Sequence, residues 1–163
     1  MKLPCRLSRI GILTLTLAAL TLCVRSGPPT VPPECGDFVT GGGWITGTPS
    51  GGFANFGVGG GIMNGELWGH LNYIDHTTGM HVKATDVTFY GVKADDPLCR
   101  VIDYIVEIDG EVGWAEVIVC DYGEPGRDDT FTIILSNGYA AGGDLADDHP
   151  GGGNIQLHKA KCD

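Results

Sequence analysis

The stretch from Cys99 to Cys120, CRVIDYIVEIDGEVGWAEVIVC, constrains this chain more than any other. Two runs rich in Val, Ile and Tyr, composition that suits a pleated and half-buried surface, flank Asp109-Gly110. That dipeptide favours a tight type I′ hairpin turn. With these two residues as the turn, facing positions are fixed: Ile108 meets Glu111, Ile105 meets Trp114, Asp103 meets Glu116 and Cys99 meets Cys120. Counting outward from the turn puts the cysteines at a non-hydrogen-bonded pair, where Cα atoms lie about 4.5 Å apart, within disulfide reach. A register set by the turn and a pair of thiols placed by the sequence agree, so the segment reads as a hairpin stapled by its own disulfide.

Alternating β-like runs and turn signals recur at short spacing from Asp37 onward, with no helical periodicity. That is the signature of an all-β domain. The expected fold is a single antiparallel β-sandwich or partly closed barrel of about 8–9 strands. Strands are expected near Phe38–Ile45, Phe53–Ile62, Glu66–Ile74, His81–Val92, Arg100–Ile108, Val112–Cys120, Thr130–Ser136, Tyr139–Leu145 and Asn154–Lys159. Asn64-Gly65 and Asn137-Gly138 are further tight-turn candidates, and Asp95-Asp96-Pro97 reads as a break. Alternation puts Ile102, Tyr104, Val106 and Ile108 on one face with Ala115, Val117 and Val119. Phe131, Ile133, Leu135, Ile155 and Leu157 extend this core. Glycine is abundant, 27 residues in all. Trp44, Phe53, Phe56, Leu67 and Trp68 interleave with it, which points to bulged, strongly bent strands.

Residues 1–26 have the form of a signal peptide: Lys2, Arg6 and Arg9 precede an apolar run from Ile10 to Leu22, too short to span a bilayer comfortably. Residues 27–36 form a Pro-rich spacer, and residues 37–163 the all-β domain. The expected location is extracellular. An alternative is lipid anchoring through Cys23, against which stands the bulky Leu22 before it. Four cysteines then remain, and with Cys99 joined to Cys120, Cys35 is left to Cys162. A loop of that length is worth about 5 kcal/mol in the chain-entropy model. The segment 1–26 holds four of the ten basic residues and none of the twenty acidic ones, so residues 27–163 carry six against twenty, a net charge of −14. Such a surface excludes nucleic acid as a partner. No transmembrane segment is expected after the signal.

Several motifs occur in order: Gly41-Gly42-Gly43-Trp44-Ile45, Ala54-Asn55-Phe56-Gly57, Gly69-His70-Leu71-Asn72-Tyr73-Ile74-Asp75-His76, Asp121-Tyr122-Gly123-Glu124-Pro125-Gly126, Leu135-Ser136-Asn137-Gly138-Tyr139 and Gly153-Asn154-Ile155-Gln156-Leu157-His158. The set resembles the post-COAP type of β-module found in secreted bacterial proteins. The resemblance implies an all-β extracellular domain and no specific activity.

Two constellations are candidates for chemistry. The loop carrying Asp121, Glu124, Asp128 and Asp129 offers oxygens of the kind calcium takes. The plainer reading has Asp121 and Asp129 capping backbone N–H groups. Asp144, Asp147 and Asp148 form a second acidic loop. His70, Asn72, Asp75, His76 and His158 are read as a polar, hydrogen-bonded cluster, with His81 near it. No HExxH, CxxC or GxSxG spacing is present. Trp44, Trp68, Trp114, Tyr73 and Tyr122 are candidates for stacking against sugars or peptides. Function is therefore read as a secreted, non-catalytic β-module that binds, adheres or builds extracellular structure, with a glycan or protein as ligand. The alternatives are a small extracellular hydrolase using His70, Asp75 and His158 or a carboxylate pair, and a calcium-stabilised binding module.

Overall fold

The computed structural model describes residues 36–145 and 152–159. Cys23, Cys35 and Cys162, the targeting segment, most of the spacer, Asp147 and Asp148 lie outside the described residues. Nine antiparallel strands succeed one another: β1 (Phe38–Ile45), β2 (Ala54–Met63), β3 (Glu66–Asp75), β4 (His81–Lys93), β5 (Asp96–Ile108), β6 (Glu111–Cys120), β7 (Thr130–Leu135), β8 (Ala140–Asp144) and β9 (Gly153–His158). They form one sheet in the order β8-β7-β6-β5-β4-β3-β2-β1-β9. It is a meander except at its last step, where β9 returns to pair with β1.

The central hairpin has the expected register. Cys99 faces Cys120, Asp103 faces Glu116 and Ile108 faces Glu111, around Asp109 and Gly110 at φ of 51° and 90°. The two sulfurs are bonded, with Cα atoms 4.0 Å apart. Removing this staple by changing both cysteines to serine should lower stability by about 3 kcal/mol, read from urea denaturation. Unchanged stability would show that hairpin pairing alone holds the ribbon.

The sheet curls into a half-barrel around one core. Phe56 of β2 stacks on Phe131 of β7 with ring centroids 3.9 Å apart, and the Tyr104 hydroxyl of β5 donates to the Gly59 carbonyl of β2 at 2.8 Å. Ile102, Tyr104, Val106, Ala115, Val117, Val119, Phe131, Ile133, Leu135 and Ile155 are buried as expected, with Leu157 packed at the margin. Curling brings the two edge strands round without a continuous ladder between them. At β9 the outward-pointing N–H groups are taken by side chains: Ile155 donates to the Asp129 carboxylate and Leu157 to Asp121, each at 2.7 Å. At β8, Gly142 donates to the Gly47 carbonyl at 3.2 Å. Unpaired strand edges are otherwise templates for association, and here the carboxylates occupy much of one.

Three local expectations are corrected. The register shifts lie in β4, at Ala84/Asp86, Val87/Phe89 and Val92/Lys93, whereas β1 and β2 pair without interruption. Most glycines of β1 and β2 are there because neighbours approach closely: a Cβ on Gly60 would lie 2.9 Å from Ile102, and one on Gly41 would run into Ile155. Asn137-Gly138 is not a two-residue turn. The Gly138 N–H bonds to Leu135 O, and only Gly138 has positive φ, so Ser136 and Asn137 form the turn and Gly138 the following bulge. Asp96-Pro97 opens β5 rather than breaking the chain, because Asp96 pairs with Lys93 across a two-residue turn.

Candidate binding face

Alternation along β3 sorts the predicted cluster onto two sides of the sheet. Leu71, Tyr73 and Asp75 point inward and are buried; His70, Asn72 and His76 point outward and are exposed. The Asp75 carboxylate sits at the inner end of the barrel. It accepts the Thr77 N–H at 2.9 Å, the Ser50 hydroxyl at 3.0 Å and the Tyr139 hydroxyl at 2.9 Å. Tyr139 in turn meets the Tyr73 hydroxyl at 2.7 Å, and burial pushes the Tyr73 phenol up to about 12.

Burial alone would raise the Asp75 carboxyl, but the bonds from Thr77, Tyr139 and Ser50 outweigh it and hold the carboxyl below the usual carboxylate range. Stability from Asp75 is therefore present above the ordinary pKa of about 3.9 and is lost as pH falls through its folded value. An Asp75→Asn variant should lose less stability than the parent on acidification below about pH 4. Parallel acid limbs in denaturation curves would contradict this.

The outward groups form a continuous patch across β1, β2 and β3. Cross-strand partners give its rows: Trp68–Gly61–Phe38–His158, then His70–Gly59–Thr40–Gln156, then Asn72–Gly57–Gly42–Asn154, then Ile74–Asn55–Trp44. Its polar edges are held in place. The His76 Nε2 lies 2.6 Å from the Asn55 amide oxygen, and its ring stacks on Phe53 at 4.6 Å. His81 Nε2 lies 2.6 Å from the Asn72 amide oxygen. At the far end His158 stacks on Phe38 at 4.3 Å and meets the Thr40 hydroxyl at 3.0 Å. Beside Asn55 lies a hollow of about 410 Å³ lined by Trp44, Thr46, Phe53 and Asn55, within the range of small-ligand sites.

The floor between these edges is glycine, and two of its members differ. Gly59 is bare because the His70 ring lies over it, 2.5 Å from where a Cβ would be. A Cβ on Gly57 would meet nothing within 4 Å, and its φ is not positive. Glycine inside a strand costs about 0.5–1 kcal/mol relative to alanine, and at Gly57 neither packing nor backbone conformation among the described residues asks for it.

Other predicted groups do not join this patch. His158 is three strand spacings from His70, about 14 Å across the sheet, and Asp75 is on the opposite face from both. In the acidic loop, Asp121 accepts Gly123 N–H and Leu157 N–H, and Asp129 accepts Tyr122 N–H and Ile155 N–H. Glu124 accepts from the Asn154 amide at 3.3 Å. These bonds match the capping reading of Asp121 and Asp129; Asp128 is exposed. No three His, Cys, Asp or Glu side chains converge as a metal-holding group among the described residues. Asp103 does face Glu116, and burial holds its carboxyl above the usual range. Phe53 and Asn55 escaped the sequence reading of the site; the signal for them is parity, because they share a face with Gly57, but their meeting with His76 depends on long-range pairing. Trp44 and Trp68 lie on the patch, Trp114 lies exposed on β6, and Tyr73 is core. No family model, curated protein or solved structure matches the chain.

Proposed function

We propose that this chain is a non-catalytic extracellular binding module whose ligand lies on the outer face of β1, β2 and β3. The observation that carries the reading is Gly57, an open position in the middle of a paired strand, flanked by side chains already fixed by their own hydrogen bonds. Glycine in a strand often marks a place where another molecule comes close to the backbone. Preset polar edges lower the ordering cost of binding. The Cys99–Cys120 disulfide is compatible with an oxidising compartment, and the motif resemblance points the same way.

The hydrolase alternative needs titratable groups meeting at one point. His70, Asp75 and His158 are divided between two faces and distant strands, which counts against that form of the alternative. The facing carboxylates Asp103 and Glu116 lie on the β5–β6 hairpin, away from the glycine floor and the hollow beside Asn55. The calcium alternative would have cation and backbone N–H groups compete for the same oxygens of Asp121 and Asp129.

The test is amide mapping by NMR. The full chain, labelled with ¹⁵N, is titrated with panels of oligosaccharides, peptides and lipid headgroups. Ligand-induced shifts should centre on Gly42, Gly57 and Asn72. Shifts centred on the acidic loop or on β5 and β6 would place function elsewhere.

A further inference from the structure

Resting on that reading of the face, we propose that the ligand is a neutral saccharide chain, laid across the Gly42–Gly57 floor with one pyranose ring against Phe53 in the adjoining hollow. The chemistry of the patch selects this class by what it offers. The chain has twenty Asp and Glu residues, yet the outward positions from Phe38 to Trp44, Asn55 to Gly61 and Trp68 to His76 hold none. Their polar groups are amides, imidazoles, a hydroxyl and the indole N–H groups of Trp44 and Trp68, with no carboxylate, lysine or arginine among them. A cationic ligand would be met by carboxylates. An anionic one would be met by a cluster of Arg or Lys, and the cross-strand position beyond Asn72 offers a single lysine, Lys83. Glu124 reaches only the rim, at Asn154.

A peptide recognised through its backbone adds a strand to an open edge. Here β2 is paired on both sides, by β1 and β3, so the floor has no main-chain groups left to offer. It presents bare backbone at Gly42 and Gly57, with an aromatic plate beside it. Phe53 is 47 % exposed and backed by the His76 ring, which fixes its plane. An aromatic face with partial negative charge suits the C–H face of a sugar ring. The Asn55 and Asn72 side chains each have an oxygen already engaged by a histidine, and the Asn55 NH₂ also donates to the Gly43 carbonyl at 3.4 Å. The Asn72 NH₂ and the second Asn55 N–H are therefore the amide donors this face offers to ring hydroxyls. Same-face positions two residues apart on a strand are separated by about 7 Å, so an oligosaccharide seated in the hollow continues onto the row of Gly57 and Gly42.

The experiment is a titration of the full chain with uncharged hexasaccharides of glucose, mannose and N-acetylglucosamine, beside polygalacturonate, a sulfated glycan and a peptide library. The amides of Gly42, Gly57 and Asn72 are followed, and the measurement is repeated for Gly57→Val and Phe53→Ala. We expect at least one neutral hexasaccharide to shift those amides, with affinity unchanged by salt, about tenfold weaker in Phe53→Ala and lost in Gly57→Val. If only an anionic glycan or a peptide shifts them, the neutral-saccharide class is wrong and the face stands. If nothing shifts them, both the class and the face fall. Binding of a neutral saccharide that survives both substitutions overturns the placement.

Discussion

Replacing Asp129 with alanine is expected to lower stability by about 3–5 kcal/mol, the worth of two hydrogen bonds to a charged acceptor. Asp129 sits at the entrance to β7, fully buried. One carboxylate oxygen takes the Tyr122 N–H at 2.8 Å, tying the acidic loop across its base, and the other takes the Ile155 N–H at 2.7 Å, tying β9 to the far side of the barrel. Its own backbone carbonyl accepts Leu145 N–H at 2.9 Å, so three segments meet there. Alanine leaves two N–H groups without their acceptor, one of them buried. Asparagine retains one acceptor oxygen and should recover about half the loss. Burial raises the Asp129 carboxyl, and the neighbouring charges of Asp121 and Glu124 add to it. Together they outweigh the two bonds that lower it, leaving it above the ordinary range. Its ionisation therefore costs stability as pH rises through that window and nothing below it, opposite to Asp75. Urea denaturation at neutral pH reads the effect of the substitution. A loss below about 1 kcal/mol would show that the β9 seam is held by β1 alone.

The second large effect lies at the same end of the sheet, two strands away, where Arg100 pairs with Val119 and Val119 with Phe131. Arg100, 5 % exposed, pairs through its guanidinium with Asp37 just ahead of β1, and also donates to the carbonyls of Pro97 and Cys99 at 2.9 and 2.8 Å. The Tyr90 hydroxyl donates to the same Asp37 carboxylate at 2.8 Å. Arg100→Met should cost about 3–5 kcal/mol, because it strands a carboxylate in a partly desolvated place. Adding Asp37→Leu should return part of that, since a pair replaced by apolar groups is often near neutral. The return stays incomplete because Tyr90 and the two carbonyls lose these partners. Equal stability of the single and double variants would mean that Asp37 contributes nothing once Arg100 is gone.

Much of the architecture was legible because it is local. The Asp109-Gly110 turn, the alternating Val and Ile, and the two cysteines lie within a single 22-residue stretch, and the hairpin they define is the observed one, pair for pair. Core parity in β5, β6 and β7 came from the same alternation. Hidden from the sequence is whatever depends on distant pairing. Gly41 is bare because Ile155 crosses it from β9, a neighbour far away along the chain, and the carboxylates of Asp121 and Asp129 serve that same strand. The predicted polar cluster failed to gather for a reason that parity contains: Asp75 shares its face with Leu71 and Tyr73, whereas His70, Asn72 and His76 share the other. The resemblance in motifs is likewise read differently in three dimensions, with the Ala54-Asn55-Phe56-Gly57 segment contributing alternately to core and outer face.

The most direct measurement compares two valine substitutions on β2 that point to opposite faces of the sheet. Gly60 faces Ile102 at 2.9 Å from a would-be Cβ, and Gly57 faces open space. Gly60→Val should destabilise by about 1–3 kcal/mol through overpacking. Gly57→Val should leave the fold as stable as the parent or stabilise it by about 0.5–1 kcal/mol, while abolishing ligand-induced shifts at Gly42 and Asn72. A Gly57→Val protein that unfolds as readily as Gly60→Val, or that responds to ligand as the parent does, would show that the bare position serves packing and not a bound molecule.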